Sequence, residues 1–108
     1  MGEQTDRELL ELAAKAAGFT GQWTADWYEM ASGMSRWDPL VDNGQALILA
    51  VKLSIDVLQR FVGGRRVEAL APGGSVQIEM VTGPDACAAT RRAIVRAAAA
   101  IAEQGGAK

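Results

Sequence analysis

Between Asp6 and Ala17 the apolar positions recur with a helical period. At about 100° per residue, Leu9, Leu10, Leu12, Ala13, Ala16 and Ala17 fall on one face, and Arg7, Glu8, Glu11 and Lys15 fall on the other. Thr5 stands where an N-cap is wanted, Glu8 three residues on completes a capping box, and Gly18 supplies a stop. The pattern predicts an amphipathic helix over residues 6–17 with one buried side.

Residues 19–37 carry Phe19, Trp23, Trp27, Tyr28 and Trp37 without a sustained period. Gly21, Gly33 and the Ser/Gly spacing favour extended chain, which predicts a loose hairpin with strands near 22–30 and 35–37. Trp23 and Trp27 also share a face if the segment is helical, so a helix is the alternative. A second helix is expected over 43–61, led in by Trp37, Asp38, Pro39 and Leu40, capped by Asp42 and boxed by Gln45. Its apolar arc runs from Ala46, Leu47, Ile48, Ala50 and Val51 through Leu53, Ile55, Val57, Leu58 and Phe61 and spans about 220°. Gln45, Lys52, Asp56, Gln59 and Arg60 form a narrow wet strip that includes Leu49. Such a helix belongs at the centre of the domain.

Gly63 and Gly64 end that helix in this reading. Val67 to Ala71 and Val76 to Val81 then read as a hairpin around Pro72, Gly73, Gly74 and Ser75. In its second strand Val76, Ile78 and Met80 alternate with Gln77 and Glu79, which predicts a buried apolar side and a wet polar one. Gly83 and Pro84, with Asp85, open a last helix that persists to about Gln104 and stops at Gly105 and Gly106. The expected class is α+β: three helices packed with a small antiparallel sheet that includes a β-hairpin in the C-terminal half.

Composition narrows the function classes. A chain of 108 residues without a Pro/Gly/Ser-rich linker reads as a single domain over residues 1–108. Its apolar share of 49% is ordinary, but much of it is alanine, which favours close helix packing with less burial energy per residue. Cys87 is the one cysteine, so no internal disulfide exists, and Glu3, Asp6, Glu8 and Glu11 give the first turns no secretory pattern. Lys52, Asp56 and Arg60 interrupt the longest apolar run, so no membrane span is expected. The expected location is the cytosol. The formal charge of −2 and pI near 5.0 give no overall positive field, which disfavours direct nucleic-acid binding and suits a protein partner.

The candidate chemistry is sparse. Without histidine, and with one cysteine, the common general base and the usual zinc sets are missing, and no phosphate-binding glycine motif is present. No catalytic residue, metal or cofactor is therefore assigned. Cys87 falls in the first turn of the last helix, where the dipole favours a thiolate, but the winding sets it beside Ile94, Ala98 and Ile101 as a buried small hydrophobe. Arg91 projects from that apolar face. It reads as a structural arginine whose head finds carbonyls or a carboxylate, with Asp38, Asp42 and Asp56 as candidates, or as an anion- or partner-binding group. Arg65, Arg66, Arg92 and Arg96 make one basic surface only if the hairpin lies against the last helix. The aromatic set Trp23, Trp27, Tyr28 and Trp37, together with Arg92 and Arg96, is the candidate partner-binding surface, since tryptophan and tyrosine concentrate in interface hot spots.

Three blocks in order, TDRELLELAAKAAG at 5–18, WDPLVDNGQALILAVKL at 37–53 and ACAATRRAIVRAAA at 86–99, resemble a family of small proteins encoded by bacteriophages and prophages of Gram-negative bacteria. The W-x-P-L-x-D-x-G-x-A-L block carries most of the resemblance. Residues 19–36 and the hairpin depart from it, so nothing functional is carried over to them. The resemblance implies a phage origin and, through it, a binding protein that blocks a host defence complex, an anti-CRISPR inhibitor being the sharpest form. The alternative is a nucleic-acid-associated accessory protein of phage replication or recombination that uses Arg65, Arg66, Arg92 and Arg96. Either a monomer or a homodimer fits.

Overall fold

The computed structural model describes residues 5–19, 21–24, 27–30, 36–61 and 64–105. Helix α1 (Asp6–Ala17) is capped as its sequence dictates. The Glu8 N–H donates to Thr5 Oγ1 at 3.1 Å, the Thr5 N–H donates to the Glu8 carboxylate at 2.8 Å, and Gly18 closes the helix at φ 79°. Strands β1 (Gly21–Thr24) and β2 (Trp27–Met30) form an antiparallel pair in which Trp23 faces Tyr28 across the ladder. The extended reading of this segment therefore prevails over the helical one, but the single strand expected near 22–30 is two strands paired with each other. The strand expected at 35–37 reduces to one bridge, in which the Trp37 N–H donates to the Tyr28 carbonyl at 2.9 Å; Gly33 and Ser35 lie outside the described residues.

Helix α2 (Asn43–Leu53) begins where expected, with Asp42 accepting from the Gln45 N–H at 2.9 Å, but ends eight residues before Phe61. Ser54 turns left-handed at φ 56°, the Ser54 N–H reaches the Val51 carbonyl, and the Ile55 N–H reaches the Ala50 carbonyl at 2.9 Å. This is the Schellman arrangement without its usual glycine. A left-handed residue with a Cβ costs on the order of 1 kcal/mol, and the burial of Ile55 beside Ala50 offsets it. Residues expected to continue the helix instead form strand β3 (Asp56–Arg60). Gly63 lies outside the described residues.

Strands β4 (Arg66–Leu70) and β5 (Val76–Met80) make the expected hairpin. Its loop is a turn closed by the Gly74 N–H on the Ala71 carbonyl, followed by Gly74 at φ 96°, a position that glycine alone fills without strain. With β3 they form a three-stranded antiparallel sheet in the order β3-β4-β5. Helix α3 (Ala86–Gly105) starts after Pro84, with Asp85 as the cap that accepts from the Ala88 N–H.

Position in the fold reverses two sequence expectations. The central helix is α3, which packs on β4, β5, α1 and α2 and buries Ala93, Ile94, Val95, Ala97, Ala98, Ala99 and Ala102, an arc of about 240° at helical winding. Helix α2 lies at the rim against α3, because it is too short to be sandwiched once β3 takes residues 56–60. It buries Ala46, Leu49 and Ala50 and leaves Leu47, Ile48 and Val51 in water. Leu49, assigned to the wet strip, is fully covered.

The phase of α2 predicts opposite outcomes for two truncations. Leu49→Ala, at 0% exposure, is expected to cost about 2–5 kcal/mol. Val51→Ala, at 71% exposure, is expected to change stability by no more than about 0.5 kcal/mol. Urea unfolding of the two variants checks the assignment, and equal losses would contradict it.

Candidate functional site

The register of the sheet sets nine side chains in a grid on the face turned away from α3. Asp56, Leu70 and Val76 form one row, Leu58, Glu68 and Ile78 the next, and Arg60, Arg66 and Met80 the third. The opposite face carries Val57, Gln59, Val67, Ala69, Gln77 and Glu79. Val67 and Ala69 are fully covered, and their small size lets α3 approach β4 closely. Gln59 donates to Thr90 of α3 at 3.1 Å, and Arg96 of α3 pairs with Glu79.

The polar residues of β5 thus face the helix, and its apolar residues face water, the reverse of the sequence expectation. A one-residue shift of phase exchanges the two faces of a strand. Here the register closed by the 71–75 turn sets Gln77 opposite the buried Ala69 and Glu79 opposite the buried Val67, so both turn inward, where Glu79 meets Arg96. Val76, Ile78 and Met80 stand 48%, 48% and 52% exposed in one column. On the same face Leu58 is exposed two strands away, with Glu68 between it and Ile78, and Leu70 is half-buried.

Within this apolar frame sits one ion cluster. Arg60 and Arg66 oppose each other across β3 and β4, a repulsive placement for like charges. Glu68 sits between them, accepting from Arg66 Nε at 3.1 Å and from Arg60 Nε at 3.4 Å. The Arg66 hydrogen bond, then the nearby positive charge of Arg60, holds the Glu68 carboxyl below the usual glutamate range against the opposing effect of desolvation. Just past β3, the Arg65 guanidinium lies over the exposed Phe61 ring at 5.6 Å.

The residues singled out by sequence fall elsewhere. Tyr28 and Trp37 are buried, and the Trp37 ring meets Tyr28 edge-on at 5.8 Å and Phe19 at 5.6 Å, so both rings are core rather than surface. The side chains of Trp23 and Trp27 lie outside the described residues. Arg92 pairs with Asp6 of α1 at 3.0 Å, and Arg96 with Glu79. Arg66 points to the outer sheet face with Glu68, so Arg65, Arg66, Arg92 and Arg96 do not join into one basic surface.

Two further expectations are corrected. Cys87 is exposed rather than buried, because it lies one turn before the point where α2 meets α3 at Arg91. Arg91 is structural, but its partners are none of the three aspartates named for it. Its Nε donates to the Leu40 carbonyl at 2.7 Å and its NH1 to Asn43 Oδ1 at 2.7 Å, while Asp85 lies 3.9 Å away. Gln45 likewise does not complete a box on Asp42. It accepts from the Asp38 N–H at 2.6 Å and donates to the Arg36 carbonyl, fastening the Trp37 segment to α2.

Among the described residues no three of His, Cys, Asp and Glu gather as a metal site, and no helix is long and apolar enough to cross a membrane. The feature that reading the sequence missed is the outer sheet face. The V-x-I-x-M alternation announced it, but the side it faces depends on what β5 packs against. Comparison of the chain with protein-family models, with curated proteins and with solved structures returns no match.

The ion cluster carries a pH signature. A carboxyl lowered in the folded state contributes stability that is complete above its unfolded value of about 4.3 and fades as pH falls through the lower folded value. Glu68→Gln is therefore expected to lower the thermal midpoint at pH 7, with the gap to the parent closing as pH falls below about 4. A gap that is constant down to pH 2 in thermal melts would contradict the assigned role.

Proposed function

We propose that this protein is a non-enzymatic binding protein of phage origin that inhibits a host defence component, a CRISPR effector being the sharpest case, by docking a protein on the outer face of its sheet. The observation that carries the reading is the column Val76, Ile78 and Met80 with Leu58, apolar and exposed on a face that no described element of the chain covers. Large apolar side chains gathered on one face, framing a few fixed charges, are the makings of an interface core and its orienting contacts. The resemblance of the W-x-P-L-x-D-x-G-x-A-L block to phage-encoded proteins supplies the biological setting. The arginines considered for nucleic acid support this reading over the accessory-factor alternative, since Arg66, Arg92 and Arg96 each hold a carboxylate of the chain itself.

Expression in hosts carrying defined CRISPR systems, followed by challenge with a targeted phage, tests the proposal. The parent protein is expected to restore plating by at least about tenfold against one system, and Ile78→Asp or Met80→Glu to abolish the restoration while leaving the thermal midpoint within a few degrees. Restoration that survives both changes removes the outer face from the mechanism. Failure to restore plating with any CRISPR or other defence system tested removes the inhibitor reading.

A further inference from the structure

The two edges of the sheet are treated differently. In an antiparallel ladder the pairs that exchange hydrogen bonds alternate along the strands. The flanking bonds, Val81 N–H to the Arg65 carbonyl and Ala71 N–H to the Ser75 carbonyl, make Val67 with Glu79 and Ala69 with Gln77 the bonded pairs of β4 and β5. Arg66, Glu68 and Leu70 therefore bond to β3. Along the β5 edge the N–H and C=O of Val76, Ile78 and Met80 face outward, and Arg96 covers one of these groups, the Ile78 carbonyl, at 3.4 Å. Along the β3 edge the N–H and C=O of Val57 and Gln59 face outward, and no described residue pairs with them.

An open edge normally carries charged side chains, a proline or a bulge that discourages pairing. Strand β3 has no proline and no bulge, and its charges stand at its two ends: it reads Asp56-Val57-Leu58-Gln59-Arg60, five residues in unbroken register with β4. This sequence complements itself when run antiparallel. Centred on Leu58, it sets Asp56 opposite Arg60 of a second copy at both ends and Val57 opposite Gln59. The open backbone groups of Val57 and Gln59 fall in that register as bonded pairs. The Asp56 carboxylate has no partner among the described residues, and the Arg60 side chain is half exposed. Beside the same edge, Leu47 and Val51 of α2 line a groove of about 660 Å³ with Val57 and Leu58.

We propose that two copies of this chain associate by antiparallel pairing of their β3 edges about a two-fold axis through Leu58. The contact is isologous, so each copy supplies the same strand and the same charges. It makes four backbone hydrogen bonds and two Asp56–Arg60 pairs, and it joins the two sheets into one of six strands. Neighbouring registers centred on Val57 or Gln59 also match the backbone, but they lose both charge pairs. The inference does not rest on the target proposed above: that surface centres on β5 and shares Leu58 with this edge.

Sedimentation tests it directly. The parent is expected to move from the 11.4 kDa chain mass to twice that value as concentration rises through the micromolar range. Asp56→Arg sets two arginines opposite each other and is expected to raise the dimer dissociation constant at least about tenfold, as is Arg60→Asp with two aspartates. Mixed together, D56R and R60D restore opposite charges at both positions and are expected to form the heterodimer. Should R60D fold poorly without its Glu68 contact, hydrogen exchange of the parent decides: the Val57 and Gln59 amides gain protection with concentration. A parent that remains monomeric overturns the proposal, and so does a dimer that ignores D56R or leaves those two amides unprotected.

Discussion

The fold depends on how closely an alanine-rich helix can be approached. Helix α3 offers Ala93, Ala97, Ala98, Ala99 and Ala102 around most of its circumference, and each is almost wholly covered. Small side chains allow neighbouring backbones to come near, so one helix can serve as the core partner of a sheet and of two other helices. On β4 Ala69 answers with an equally small group, and Val67 beside it fills the remaining space. The same closeness explains the arginines. Arg91, Arg92 and Arg96 leave α3 where the cover thins, and each reaches a different neighbouring element: the start of α2, the start of α1 and β5. They lock the surrounding pieces to the central helix and are spent in doing so.

Elements whose ends are marked by residue chemistry were legible in the sequence. Thr5, Glu8 and Gly18 bracket α1. Pro72, Gly73 and Gly74 place the hairpin turn, and Pro84 marks the start of α3, although the helix begins at Ala86 with Asp85 as its cap and not at the proline itself. The end of α2 was not legible, because Ser54 takes a left-handed conformation that glycine usually marks, and because Ile55, Val57, Leu58 and Phe61 fit a helical arc as well as a strand. That error propagated. A helix continued to Phe61 belongs at the centre, whereas one that ends at Leu53 sits at the rim with Leu47, Ile48 and Val51 uncovered. Periodicity shows that faces differ in polarity; which face turns inward depends on partners distant in the chain.

The candidate site was obscured for the same reason. Aromatic residues in an aperiodic segment are interface material by composition, but Trp37 packs with Tyr28 and Phe19 as part of the core, next to the Gln45 fastening. The outer sheet face carries no aromatic residue within its grid and was assigned to the interior because alternation alone says "half buried". What decides its orientation is the register of β5 against β4, which sets Gln77 and Glu79 opposite the buried Ala69 and Val67, a pairing that the alternation within β5 does not announce.

The proposed association rests on the division of side chains between inside and outside. Among the described residues more than half of the buried apolar ones are alanine, while Leu47, Ile48, Val51, Phe61, Ile78 and Met80 stand in water. Burying a methyl group gains far less than burying a leucine or isoleucine, so this chain leaves much of its available hydrophobic free energy unrealised when it folds alone. The exposed groups are not scattered. They lie along α2, along the open β3 edge and across the sheet face continuous with it. The β5 edge, by contrast, is partly occupied by Arg96. What distinguishes the two edges is charge: β3 carries Asp56 and Arg60 at ends that oppose each other in a two-fold pairing, whereas β5 carries no positive residue for Glu79 to meet, so the proposed pairing selects β3.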